Sequence, residues 1–197
     1  MMFQQTIDRN PELLSKISYK KPYAPMLIRN HLFTIIPKET KYIYVMAIGS
    51  NSIIGDSIGP FVGTLLTGQY PKHLTVIGTL ASPLDATTLE TRIEEVHFPN
   101  NSFVIAVDSA IGPPSYVQSI VITKQPLQPG KALHHELPTV GHCGILAVML
   151  ENQKNIASKL IYSDLNVAYS MARTIALGIS LAVRQFYQYP AEQPILG

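Results

Sequence analysis

This chain of 197 residues has a single cysteine, Cys143, so it can form no internal disulfide. That suits a reducing compartment. Charge is scarce as well. Asp, Glu, Lys and Arg make up 14% of the residues against 46% apolar, which excludes an extended disordered chain. The formal net charge is only +2 and the basic residues form no dense cluster, so nucleic acid is not expected as a partner. The N-terminal MMFQQTIDRNPELL carries acids and lacks the apolar centre of a signal peptide. The apolar stretch at 175–183 is broken by Gly178 and Ser180 and falls short of the ~20 residues of a membrane span. These gaps predict a cytoplasmic protein with no membrane segment, of a length that suits one compact domain.

Two familiar site signatures are missing too. Gly49 and Gly55 stand one residue too far apart for a phosphate-binding GxxxxGK[ST] loop, and the lysine position holds Asp56, which would repel a phosphate. No Rossmann GxGxxG occurs.

What the chain does contain centres on residues 41–66, KYIYVMAIGSNSIIGDSIGPFVGTLL. The apolar run at 42–48 reads as a strand covered on both faces, as in parallel α/β sheets. A Gly/Ser/Asn turn follows, then an apolar helix with Pro60 in its first turn, where proline is tolerated. Asp56 is thereby placed beyond the carboxyl end of the first core strand, where open α/β sheets bind their ligands.

Residues 1–40 are broken by Pro11, Pro22, Pro25 and Pro37. They read as an N-terminal arm, with a short helix at 11–17, that packs on the body or on a neighbour. Self-association into a homo-oligomer is therefore left open. Residues 41–197 read as the single body. LTVIGT at 74–79 predicts a second strand, and 82–96 has helical spacing. FVIAV at 103–107 predicts a third strand, ending at Asp108. The segment 117–123 reads as an edge strand, 144–151 as a short helix, and 163–187 as a long helix capped by Ser163. Its core face is Leu165, Ala168, Tyr169, Ala172, Ile175, Ala176 and Ile179. Alternating strands and helices imply βαβ units and a mostly parallel sheet. The proline-rich stretch 124–141 is longer than an ordinary connection and suggests a functional loop.

Asp56 and Asp108 each follow an apolar strand, so a parallel sheet would bring both carboxylates to one crevice. Such a pair can share a proton for acid–base work or hold a divalent metal. The plainer alternatives are a helix cap for Asp56 and an Asx turn for Asp108. His142 adds an imidazole after the long loop, and carboxylates with imidazole suit zinc or nickel. It could equally be a solvated or capping residue. His134 and His135 lie within the loop, and Cys143 reads as a small packed side chain.

IGSNSIIGDSIGPFVGTLL at 48–66, FVIAVDSAIG at 103–112 and QPGKALHHELPTVGHCGI at 128–145 resemble three motif regions of the YyaC-type sporulation proteins of endospore-forming bacteria. That family resembles in turn the germination proteases of spores and the hydrogenase maturation endopeptidases. The resemblance implies a three-layer α/β/α fold with a mostly parallel, mixed central sheet of the phosphorylase/hydrolase kind. It implies a peptidase acting on a protein substrate, in the mother cell or forespore. By position it carries the catalytic and metal-contacting acids onto Asp56 and Asp108. The accompanying histidine falls on His142, with His135 as competitor, and the implied metal is zinc or nickel. The alternative is a binding or scaffolding protein of sporulation that keeps the peptidase fold without its activity.

Overall fold

The computed structural model describes residues 5–6, 13–129, 138–152, 156–190 and 192–196. Seven strands form one sheet: β1 (Gln5–Thr6), β2 (Leu13–Ser18), β3 (Tyr42–Ala47), β4 (Leu74–Ile77), β5 (Ser102–Gly112), β6 (Ser119–Thr123) and β7 (Cys143–Glu151). The order is β2-β6-β7-β5-β3-β4, with β1 paired to the far end of β5. The pairings β3–β4, β3–β5, β5–β7 and β1–β5 are parallel. β6 is antiparallel to both of its neighbours, so it is the one strand of the seven that runs against the others. The sheet is thus mostly parallel and mixed, as expected.

Strand alternation sorts the core into two layers. Ile43, Val45 and Ala47 of β3 and Phe103, Ile105 and Val107 of β5 face one way, towards three helices. These are α1 (Ala24–Ile35), α2 (Ile58–Leu66) and α5 (Leu165–Phe186). Met46, Val104, Ala106, Leu146 and Val148 face the other way, where Leu84, Leu89 and the short helix α3 (Leu89–Glu95) cover them. Each helix owes its place to its spacing. Ala24, Ile28 and Leu32 recur every fourth residue on α1, as Ile58, Val62 and Leu66 do on α2, and all six are buried. Gly63 lets α2 lie against the sheet, since a Cβ there would stand 1.8 Å from the Gly78 carbonyl oxygen.

Several local expectations are corrected. The helix at 11–17 is instead strand β2, whose Ile17 is buried while the neighbouring Lys16 is exposed, a period of two rather than 3.6. The segment at 117–123 is no edge. β6 lies between β2 and β7, and Ser119, Ile120, Val121 and Ile122 are all buried. The short helix at 144–151 is strand β7, parallel to β5 and buried along most of its length. An apolar run of eight residues fits either element, and here pairing with β5 decides. β5 does not end at Asp108 but continues to Gly112. The long helix begins at Leu165, capped by Asp164 rather than Ser163. The Asp164 carboxylate accepts hydrogen bonds from the Asn166 and Val167 amides. Its predicted core face holds except at Leu165 and Tyr169, which are exposed.

α5 has 22 residues and passes the length and composition test for a membrane span, which the broken run at 175–183 did not suggest. In its most apolar window 56% of the residues are buried within the protein, as in the core helix of a globular fold. A shorter helix, α4 (Ile156–Ile161), precedes it in the chain.

Candidate functional site

The chain leaves β3 and crosses through α2 to β4 on one side, then returns through α3 to β5 on the other side of β3. The strand order therefore reverses between β3 and β5. Open α/β sheets bind ligands in the crevice outside the carboxyl ends at such a reversal. Asp56 and Asp108 both lie there.

Asp56 arrives on a tightly bonded turn. The Gly49 amide donates to the Leu84 carbonyl, and the Ser50 amide donates to the Asp56 carbonyl at 3.0 Å. Gly49 has φ +140°, and a Cβ there would stand 2.1 Å from the Asp56 carbonyl oxygen, so both conformation and space call for glycine. A single 3₁₀ turn, Ile54–Asp56, then carries the acid inward. Asp108 arrives on β5, one residue beyond the last pair with β3, Ala47 to Val107. On its other side it remains paired with Leu146 of β7. Both carboxyl groups are fully buried, at 0% exposure.

The two are electrostatically linked. Burial pushes the Asp108 carboxyl well above the ordinary carboxylate range, and the charge of Asp56 pushes it further. The Ser109 amide pulls weakly the other way by donating to Asp108 Oδ1 at 2.7 Å. Ser109 also donates from its hydroxyl to Asp56 Oδ1 at 3.0 Å. Asp108 Oδ2 is buried without a hydrogen-bond partner among the described residues. Chemically the arrangement is a pair of carboxyls that favours holding one proton between them.

His142 is not part of this arrangement. It directly precedes β7, at the amino end of the parallel strands. Its Nδ1 accepts from the Val104 amide at 2.9 Å, and its own amide donates to the Val104 carbonyl at 2.7 Å. The ring stacks on Phe103 at 5.3 Å. Val104 stands four residues before Asp108 on an extended strand, a separation of about 13 Å. The side chain thus closes a main-chain ladder, which ties Nδ1 to an amide and takes it out of any shared site. It rims a cavity of about 380 Å³ with Met46, Ile93, Phe98 and Val140. His134 and His135 lie outside the described residues. Cys143 is buried and its thiol is pushed up to about 12 by burial, which suits packing and not nucleophilic attack.

A zinc ion takes three or four protein ligands. Among the described residues no group of three or more His, Cys, Asp or Glu side chains is gathered for a metal. The two carboxyls supply two of the ligands that such an ion would need. Sequence reasoning missed Ser109. Its one signal was a hydroxyl residue directly after Asp108, inside a stretch otherwise apolar enough for a covered strand.

The family described as "Protein of unknown function (DUF1256)" matches residues 16–178. A Bacillus subtilis (strain 168) protein described as "Uncharacterized protein YyaC" is 33% identical over 186 residues, covering 91% of this chain and 88% of its own length.

Proposed function

The chain belongs to the DUF1256 family, and from the paired buried carboxyls at its strand reversal we propose that it is a peptidase-like hydrolase of a spore-forming bacterium. The observation that carries this reading is the electrostatic link between Asp56 and Asp108 at the strand reversal. The resemblance of its motifs to those of spore and maturation peptidases points the same way. The substrate is a protein, and the setting is the cytoplasm of the mother cell or forespore.

The chemistry follows from two carboxyls in different states. Asp56 takes a proton from a water molecule, whose oxygen attacks the scissile carbonyl carbon. Asp108 gives its proton to the carbonyl oxygen as the tetrahedral intermediate forms. Collapse of that intermediate breaks the carbon–nitrogen bond, the amine leaves with a proton, and both carboxyls return to their starting states. Every step uses only the two carboxyls and a water molecule.

The test is incubation with small soluble proteins of the spore, comparing the natural protein with Asp56→Asn and Asp108→Asn. Each substitution lowers cleavage by about 100-fold or more. Undiminished cleavage in both variants defeats the proposal.

One observation favours a second reading, a binding or scaffolding protein of sporulation. Both carboxyls have 0% exposure, so water and substrate reach them only when the covering segment moves. In that reading the natural protein cleaves nothing, and partner binding survives Asp56→Asn.

A further inference from the structure

We propose that Ser109 is the positioning residue of the carboxyl pair, tying the loop acid to the strand acid through one residue. The proposal rests on the hydrolase reading above and adds to it a part for a residue outside the pair.

The two acids come from elements of different rigidity. Asp108 is built into β5, bounded by β7 through its pairing with Leu146. Asp56 sits on a 3₁₀ turn at the end of a loop. A side chain on such a loop has rotamer freedom that a productive geometry must remove. The Ser109 hydroxyl removes it by donating to Asp56 Oδ1 at 3.0 Å. The amide of the same residue donates to Asp108 Oδ1 at 2.7 Å. One residue of the sheet therefore holds both carboxyls.

Ser109 is poorly explained as packing. It is fully buried in a strand covered on both faces, opposite Ala147 of β7. Apolar residues ordinarily fill such positions, and its neighbours Val107, Ala110 and Ile111 do so. A buried hydroxyl needs a hydrogen-bond partner, and this one finds it in the carboxylate that the proposed reaction uses.

The experiment compares Ser109→Ala and Ser109→Thr with the natural protein, after thermal melting has shown that each variant folds. Ser109→Ala keeps the amide bond to Asp108 and loses only the hydroxyl. It lowers kcat about 10- to 100-fold with little change in KM. Ser109→Thr restores much of the loss by returning a hydroxyl. A second measurement needs no substrate. The infrared band of a protonated carboxyl, assigned to Asp108 by its disappearance in Asp108→Asn, shifts in Ser109→Ala. A Ser109→Ala protein with normal kcat, or with a changed KM alone, overturns the inference. So does an absent or unmoved carboxyl band, whatever the cleavage assay shows. If the natural protein cleaves nothing while the band shifts, the hydrolase reading fails and the positioning of the two carboxyls stands.

Discussion

The two ends of the parallel strands place polar side chains in opposite circumstances. At the amino end, His142 is exposed and its ring nitrogen serves the backbone, accepting the Val104 amide. At the carboxyl end, Asp56 and Asp108 are fully buried, and the second is pushed well above the ordinary carboxylate range. A polar group that only completes a sheet can stay at the surface, where water screens it at little cost. Burying two carboxyls together works against folding, because desolvation and mutual repulsion both oppose it. Such a pair is a burden on stability and not a source of it.

The contrast can be broken most severely at Gly49. Gly49→Ala forces a Cβ into the Asp56 carbonyl oxygen at a positive φ. The expected loss is about 1–3 kcal/mol of stability, read by chemical denaturation, together with any cleavage activity, because the turn presents Asp56. A variant of unchanged stability would show that the carboxyl end tolerates rearrangement and is no more demanding than the other.

The next test uses pH. The folded state holds a proton on Asp108 that the unfolded chain has released above about pH 4. Stability from this group is therefore fully present below the ordinary carboxylate range and falls as pH rises towards the raised value. The slope is at most about 1.4 kcal/mol per pH unit. Asp108→Asn removes that slope, so the variant is the more stable protein near neutral pH even though it is the less active one. Parallel pH–stability curves for the two proteins would show that the carboxyl end carries no such burden.

The smallest effect belongs to the amino end. His142→Ala leaves the Val104 amide without its imidazole acceptor and costs about 1 kcal/mol, measured as a shift in the denaturation midpoint. Cleavage is unchanged. A large loss of activity in this variant would bring the histidine back to the carboxyl pair and dissolve the distinction between the ends.

How far the sequence could be read follows from the same contrast. Residues 42–48 were legible as a covered strand because both faces are apolar. The convergence of Asp56 and Asp108 followed from the rule that parallel strands end at one edge. The misplaced histidine had a different origin. Residues 144–150 are apolar on every side, and their run reads equally as a helix. Taken as a helix, it puts His142 at a strand's carboxyl side. Taken as β7, it puts His142 at the amino end. β6 was read as an edge for a related reason. Its partner β2 lies about a hundred residues earlier in the chain, and no local pattern announces a pairing over that span. Ser109 is hidden because the apolar run stops at Asp108, which leaves its hydroxyl outside the strand that the sequence predicts.

The pairing of β2 with β6, and the packing of α1 against α5 where Gly178 meets Ile28, have one more consequence. The first third of the chain is stitched to the middle third through β6 and to the last third through α5, so the nascent protein cannot lock its architecture until α5 has been synthesised. For the same reason a protease that trimmed away residues 13–35 would strip the cover from the longest helix and open a raw sheet margin. Switching this protein on by clipping its front would dismantle it.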